Sequence, residues 1–208
     1  DTFMAAASET LAGVAPAVML TPGIAGAYAK GVAALDGNDH ATRVATGKDA
    51  GLNRCSPALF KAKAADFISD EGLGHEVFGS SSVIVVAKDV AELQAVIAAL
   101  EGQLTATLHA VESDHATVAQ ILPGLVDRVG RVLANGWPTG VEVCHAMVHG
   151  GPYPSTSDAR TTSVGTLAMD RFLRPVCYQD IADSLLPPAL QEANPWALPR
   201  KINGVWER

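Results

Sequence analysis

Residues 82–108, SVIVVAKDVAELQAVIAALEGQLTATL, contain the strongest secondary-structure signal in the chain. Ser82–Val86 is almost entirely β-branched, which predicts a strand buried on both faces. Asp89, with Glu92 three positions later, forms a capping-box pattern, so we expect a helix to begin there. Leu104–Leu108 is again rich in strand formers. The stretch as a whole therefore predicts a β–α–β unit.

A second unit of the same kind follows the first. Residues 113–126 place apolar side chains at helical spacing behind a candidate cap, Ser113, and we expect Gly130 to end that helix. Arg131–Ala134 is the third predicted strand. Two such units in series predict an α/β fold with a mainly parallel sheet flanked by helices and right-handed connections.

The carboxyl ends of the strands indicate where a ligand would bind, because open α/β sheets bind ligands there. Asn135 directly follows the third strand. A further apolar element at 146–148 leads into His149, Gly150 and Gly151. We therefore expect these residues at the same edge of the sheet as Asn135.

The remaining segments give weaker signals. Helices are predicted at 3–15, 21–35 and 161–173, with Thr21 as the N-cap of the second. Residues 40–63 show no clear period, apart from a short strand expected near 58–60.

Composition limits the class of protein. The 208 residues are 48% hydrophobic and 18% charged, which predicts a sizeable core and argues against disorder. The net charge of −7 argues against a nucleic-acid partner. The three cysteines are odd in number and form no spaced pair, which indicates a reducing compartment, so we expect a cytoplasmic protein. The apolar opening, 2–20, contains Glu9 and Pro16 and predicts a packed helix instead of a membrane segment.

Glu76 and Phe78 are candidate binding residues. A carboxylate can accept two hydroxyl hydrogen bonds from a ribose, and an aromatic ring can pack against a sugar or a planar base. His149 could stabilise a thiolate or move protons near neutral pH. The alternatives are a solvated loop acid, a core phenylalanine and a core histidine bonded to a backbone carbonyl.

Three motifs together resemble the aldehyde dehydrogenase superfamily, over nearly the whole chain. They are Glu76–Gly79 (EVFG), Asn135–Gly140 (NGWPTG) and His149–Ser155 (HGGPYPS), and the region following them, from Thr162 to Val176, fits as well. Within the superfamily, the sequences of these motifs are most similar to the branch of α-ketoglutaric semialdehyde (2,5-dioxovalerate) and bacterial fatty-aldehyde dehydrogenases. Ser80 departs from the family pattern, which has proline after EVFG.

The resemblance implies roles for single residues. It assigns Glu76 to the nicotinamide ribose, Phe78 to packing against the cofactor, and His149 to the neighbourhood of the nucleophile. It also implies that Gly150 and Gly151 line the aldehyde pocket, for which Asn135 is a further candidate. The implied cofactor is NADP or NAD, and no metal is implied.

The reaction implied by the resemblance is oxidation of an aldehyde to a carboxylate through a cysteine thiohemiacetal and a thioester. The nucleophile and the cofactor domain are expected before residue 1, so residues 1–194 would be part of a catalytic domain and inactive alone. Residues 195–208 would be a tail that contributes to a homo-oligomer. No nucleic acid or membrane partner is expected.

Other interpretations remain open. The chain could be a catalytically silent segment of the same fold that assembles or regulates. A hydrolase is disfavoured, because no Gly-x-Ser-x-Gly motif is present. Zinc bound by Cys144, His145 and His149 is disfavoured by the Gly-Gly-Pro that follows. Arg160, Arg171 and Arg174 could bind a substrate carboxylate, although their pattern is also that of a solvated face.

Overall fold

The computed structural model describes residues 2–138 and 140–207, and the chain forms two compact units, 1–168 and 169–208. The first unit contains the following elements in chain order: α1 Thr2–Ala12, β1 Ala17–Val18, α2 Pro22–Asp36, β2 Thr42–Thr46, β3 Arg54–Cys55, β4 Ala58–Lys63, α3 Ala64–Ser69, β5 Ser81–Val86, α4 Val90–Ala99, β6 Gln103–Leu108, α5 His115–Val126 and β7 Val129–Ala134. The second unit carries short 3₁₀ turns and the antiparallel pair β8 Arg200–Ile202 and β9 Val205–Glu207.

The predicted helix starts are largely confirmed. The Thr21 hydroxyl accepts the Ile24 N–H at the start of α2. The Asp89 carboxylate accepts the Glu92 N–H at 2.8 Å at the start of α4. These short polar side chains satisfy backbone donors that the first turn leaves without partners.

Several local predictions are wrong. Ser113 does not cap α5, because a 3₁₀ turn at Glu112–Asp114 precedes that helix. Gly130 lies inside β7 and does not end the helix. The segment 146–148 is not a strand, and the helix predicted at 161–173 is reduced to a 3₁₀ helix at Thr166–Phe172.

The predicted α/β fold is confirmed, but its sheet is divided. In unit 1–168 the strand order is β2-β4-β5 in one sheet and β6-β7 in another, and β4–β5 and β6–β7 are parallel. β5 and β6 are therefore not neighbours, although α4 connects them. β5 is not buried on both faces either, since Val86 is 46% exposed.

The core of unit 1–168 lies between the sheets and the helices. Phe60 on β4 is fully buried, and it belongs to a cluster with Phe67 of α3 and Val96 of α4. A second cluster joins Ile97 of α4 to Ile121 and Leu125 of α5. Consecutive residues of α4 thus belong to two different clusters.

Candidate cofactor and aldehyde site

Tyr28 of α2 holds the loop that contains Glu76 and Phe78. Its hydroxyl donates to the carbonyls of Ser56 at 2.6 Å and Ser80 at 3.3 Å. Burial, and then the nearby Cys55, raise the pKa of the Tyr28 phenol, which keeps it protonated as a donor. The Ser80 carbonyl also accepts the Ala58 N–H at 2.9 Å. Ser80, which stands where the family pattern has proline, is thus fixed by hydrogen bonds.

Two glycines allow this loop to pack closely on α2. A Cβ on Gly79, whose φ is +154°, would lie within 2.7 Å of two Tyr28 ring atoms. A Cβ on Gly31 of α2 would lie 2.7 Å from a methyl carbon of Val77. Because neither glycine has a side chain, the backbone at Gly79 can contact the Tyr28 ring, and the backbone at Gly31 can contact the Val77 side chain. Val77 and Gly79, which follow Glu76 and Phe78 in the chain, thus hold the loop against α2.

The side chains of Glu76 and Phe78 line an open cavity of about 690 Å³. Phe78 is 66% exposed, so the interpretation of its ring as core is wrong for this chain. Glu76 is exposed as well, and no described residue donates a hydrogen bond to its carboxylate. An acceptor and an aromatic face are thus both available to a ligand.

Glu76 also lines a second cavity, of about 440 Å³, together with Pro154 and Ser155. The lining of this cavity includes the beginning of β6, at Gln103 and Leu104. The structure therefore brings the EVFG loop and the HGGPYPS loop together, although about seventy positions separate them in the sequence.

Gly150 and Gly151 pack on the amino ends of β6 and β7. A Cβ on Gly130 would lie 1.9 Å from the Gly150 carbonyl oxygen, and a Cβ on Gly151 would lie 2.5 Å from that of Gln103. The expectation that the glycine loop follows a carboxyl strand end is therefore wrong. The candidate site is at the opposite edge, because the loop returns along β7 to its start.

Backbone contacts on both sides fix His149. Its N–H donates to the Thr162 hydroxyl at 2.8 Å, and its carbonyl accepts the Ser163 N–H at 3.0 Å. Thr162 is 3% exposed. Within the described residues the imidazole of His149 has no hydrogen-bond partner, so the alternative of a ring bonded to a backbone carbonyl is not observed.

Asn135 lies at the carboxyl end of β7, away from the glycine loop. Its side-chain oxygen accepts the Ala110 N–H and its amide donates to the Ala110 carbonyl, each at 2.9 Å. With φ at +52°, it adopts a left-handed conformation that asparagine tolerates. Both polar ends of its side chain are thus occupied by the backbone that follows β6.

Arg131 supports the segment between Asn135 and His149, a role that sequence patterns did not reveal. Its Nη1 donates to the Gly140 carbonyl at 2.8 Å and lies 4.0 Å from the Met147 sulfur. Its Nε is buried and has no partner among the described residues. An arginine within a strand of otherwise small and apolar residues was the only available signal.

We expect Arg131→Met to release this segment. Losing a hydrogen bond from a charged group costs about 1.5–3 kcal/mol, so local opening should increase about tenfold or more. Cleavage after Glu142 by a glutamate-specific protease measures this opening. Arg54→Met is the matched control, because Arg54 makes the same kind of hydrogen bond in another part of the chain, to the Pro16 carbonyl at 3.2 Å. Equal cleavage of the two variants would contradict the supporting role of Arg131.

The remaining candidates are placed elsewhere. The His145 ring is 2.6 Å from the Thr166 hydroxyl, and Cys144 is exposed in an irregular segment. The Arg160 backbone N–H and guanidinium both donate to the Asp158 carboxylate, and these two hydrogen bonds lower the pKa of that carboxyl. Among the described residues, no group of three or more His, Cys, Asp or Glu side chains could hold a metal ion. No helix of the described part is long and apolar enough to span a membrane.

Comparison with known proteins shows which enzymes the chain is similar to. The chain is 47% identical, over all 208 residues, to α-ketoglutaric semialdehyde dehydrogenase 2 of Azospirillum brasilense. The chain is thus similar to an aldehyde dehydrogenase over its full length. It is also 44% identical over 207 residues to the α-ketoglutaric semialdehyde dehydrogenase of Acinetobacter baylyi. It spans 40% and 39% of the lengths of these curated relatives. No family model matches the chain.

Solved structures have the same fold. Proline utilization A from Bdellovibrio bacteriovorus superposes with a TM-score of 0.58 at 20% identity, covering 74% of this chain and 15% of that one. The NAD-bound Δ-pyrroline-5-carboxylate dehydrogenase of Mycobacterium tuberculosis gives 0.53 at 20% identity, covering 77% and 30%. An aldehyde dehydrogenase from Bacillus cereus gives 0.56 at 16% identity, covering 74% and 29%. The aldehyde-dehydrogenase-like fold predicted from the motifs is confirmed.

Proposed function

We propose that this chain is part of an NAD(P)-dependent aldehyde dehydrogenase that oxidises α-ketoglutaric semialdehyde to the corresponding dicarboxylate. The observation that carries the proposal is the position of Glu76 and Phe78 on a cavity of about 690 Å³, in a chain with relatives of that activity. The remaining part of the enzyme would supply the nucleophilic cysteine and the rest of the cofactor site.

The geometry of the EVFG loop fits a nicotinamide cofactor. The exposed Glu76 carboxylate can accept the two ribose hydroxyls, and the exposed ring of Phe78 can pack against the sugar or the nicotinamide. When bound, NAD or NADP would accept the hydride from the substrate. The chain's own contribution is to fix the cofactor ribose through a loop that Tyr28 and Gly79 hold against α2.

The HGGPYPS loop would form the substrate side of the site. Gly150 and Gly151 contact the starts of β6 and β7, and Pro154 and Ser155 share a cavity with Glu76. The imidazole of His149, without a partner among the described residues, is available to stabilise a thiolate. Asn135 remains a candidate pocket residue only if the enzyme places substrate at the carboxyl end of β7.

Steady-state kinetics of the whole enzyme test the activity. We expect reduction of NAD or NADP with α-ketoglutaric semialdehyde, at a higher kcat/KM than with a long-chain fatty aldehyde. Faster turnover of the fatty aldehyde would place the enzyme with the other members of its branch. No turnover of any aldehyde would favour the alternative of a silent chain that assembles or regulates. Size-exclusion chromatography of the same preparation measures the proposed homo-oligomer.

We expect Glu76→Gln to raise the KM for the cofactor in the whole enzyme by about tenfold. An amide offers one acceptor oxygen and no charge where the carboxylate offers two oxygens, and a hydrogen bond to a charged group is worth about 1.5–3 kcal/mol. Glu71→Gln is the matched control: Glu71 is an exposed acid of the same segment that lines neither cavity. An unchanged cofactor KM for Glu76→Gln would exclude the ribose role.

A further inference from the structure

Thr162 is a buried polar residue in the region that follows the glycine loop. Its exposed fraction is 3%. A hydroxyl that is removed from water destabilises the fold unless it is hydrogen-bonded, so its partners show what the side chain holds in place. The hydroxyl accepts the His149 N–H at 2.8 Å and donates to the Val164 carbonyl, also at 2.8 Å. Thr162 thus joins the backbone of His149 to the backbone of its own segment.

The next residue, Ser163, holds the other backbone group of His149. Its N–H and its hydroxyl both donate to the His149 carbonyl, at 3.0 Å and 3.1 Å. The N–H and the C=O of His149 belong to the two peptide groups that flank its Cα atom. A change in either backbone torsion of His149 therefore breaks a hydrogen bond to Thr162 or to Ser163.

The imidazole of His149 is held differently from its backbone. The following residues, Gly150 and Gly151, pack against the starts of β7 and β6, so the chain is fixed beyond His149 as well. In the described part of the chain the imidazole itself has no hydrogen-bond partner. With the backbone fixed, only the two side-chain torsions of His149 decide where the ring nitrogens lie.

We propose that Thr162 is a positioning residue for the reaction: its hydroxyl fixes the backbone of His149 and thereby places the imidazole beside the nucleophile of the whole enzyme. The inference rests on the proposed function, in which His149 stabilises a thiolate. Such a role requires the ring within hydrogen-bond distance of the sulfur, and a misplacement of about 1 Å can lower a rate about 100-fold. Thr162 acts only through His149 and contacts no substrate.

Thr162→Val in the whole enzyme tests the positioning role. Valine has nearly the same shape as threonine, but it leaves the His149 N–H and the Val164 carbonyl without their partner. We expect kcat for aldehyde oxidation to fall at least about tenfold. The KM for the cofactor should stay within about twofold, because Glu76 and Phe78 lie on a different loop. Thr162→Ser retains the hydroxyl and should keep kcat within about threefold of the unsubstituted enzyme.

Thr161→Val is the matched control. The Thr161 hydroxyl donates to the Asp158 carbonyl at 3.3 Å and not to His149, so the same substitution one residue earlier should leave kcat unchanged. A fall in kcat for Thr162→Val that is no larger than for Thr161→Val would overturn the proposal.

A double-mutant cycle with His149→Ala separates positioning from a general loss of structure. If Thr162 acts through His149, Thr162→Val should lower kcat by less than about twofold in a protein that already carries His149→Ala. A tenfold loss in that background would show that Thr162 acts by another route and would overturn the proposal. So would a His149→Ala variant with unchanged kcat.

Alkylation of the nucleophilic cysteine by iodoacetamide repeats the cycle without requiring turnover. Site-resolved mass spectrometry follows this thiol in the whole enzyme, with Cys177 as the internal control. We expect Thr162→Val and His149→Ala each to slow its alkylation about tenfold, since the thiolate is the reacting form, and to leave Cys177 unchanged. Equal rates in Thr162→Val and the unsubstituted enzyme would overturn the proposal. An enzyme that shows the expected response but oxidises no aldehyde would refute the proposed function alone.

Discussion

Phe60→Ala is expected to lower the free energy of unfolding by about 3–5 kcal/mol. The ring is fully buried in β4, between the α3 and α4 side chains of the main cluster, and the Arg43 guanidinium lies 5.0 Å from its centroid. Truncation removes the apolar contacts and leaves a cavity that the surrounding strands cannot close. Denaturant unfolding followed by circular dichroism measures the loss.

Phe3→Ala is the matched control for Phe60→Ala. Phe3 lies in α1 and is 73% exposed, so the same truncation should change the free energy of unfolding by less than about 1 kcal/mol. Similar losses for the two variants would show that Phe60 is not at the centre of the core.

Gly130→Ala is expected to have the second largest effect, by displacing the glycine loop of the candidate site. A Cβ at this position would lie 1.9 Å from the Gly150 oxygen, 2.5 Å from its carbonyl carbon and 2.9 Å from the Gly151 nitrogen. All three are backbone atoms, so no side chain can rotate away. We expect a loss of about 2–3 kcal/mol in stability and, in the whole enzyme, at least a tenfold fall in kcat/KM.

Gly26→Ala provides the control for the glycine substitution. Gly26 is inside α2, and a Cβ there would meet nothing within 4 Å. Alanine in a helix interior is favoured over glycine by about 0.5–1 kcal/mol, so this variant should be slightly more stable. If Gly130→Ala behaved like Gly26→Ala, the glycine loop would not be packed on β7 as described.

Local chemistry explains which elements could be predicted. Thr21 and Asp89 cap their helices because hydrogen bonds to the first turn depend on residues only three positions apart. The cap predicted at Ser113 was wrong, because the Asp114 carboxylate accepts the Val111 N–H at 3.0 Å and a 3₁₀ turn forms before the helix. Strand β2 was not predicted, because Thr42–Thr46 is stabilised as a strand by antiparallel pairing with β4, which no local sequence pattern encodes.

The resemblance gave the candidate residues of the site, but it did not give their arrangement in space. Glu76, Phe78 and the glycine loop were found from their motifs. Their common location at the amino ends of the strands was not, because a rule for open sheets indicated the opposite edge. Arg131 was missed entirely, since its partner, the Gly140 carbonyl, is a backbone atom with no sequence signature.

The sequence alone determined the alternation of helices and strands, the caps at Thr21 and Asp89, and the resemblance to the aldehyde dehydrogenase superfamily. These depend on side-chain periodicity, on hydrogen bonds between near neighbours and on motifs within short segments. Only the tertiary structure decided that β5 and β6 lie in separate sheets and that Glu76 shares a cavity with Ser155. Strand order and loop packing depend on contacts between distant residues, here through the close approach of Gly130 to Gly150 and of Gly79 to Tyr28, which no local pattern encodes.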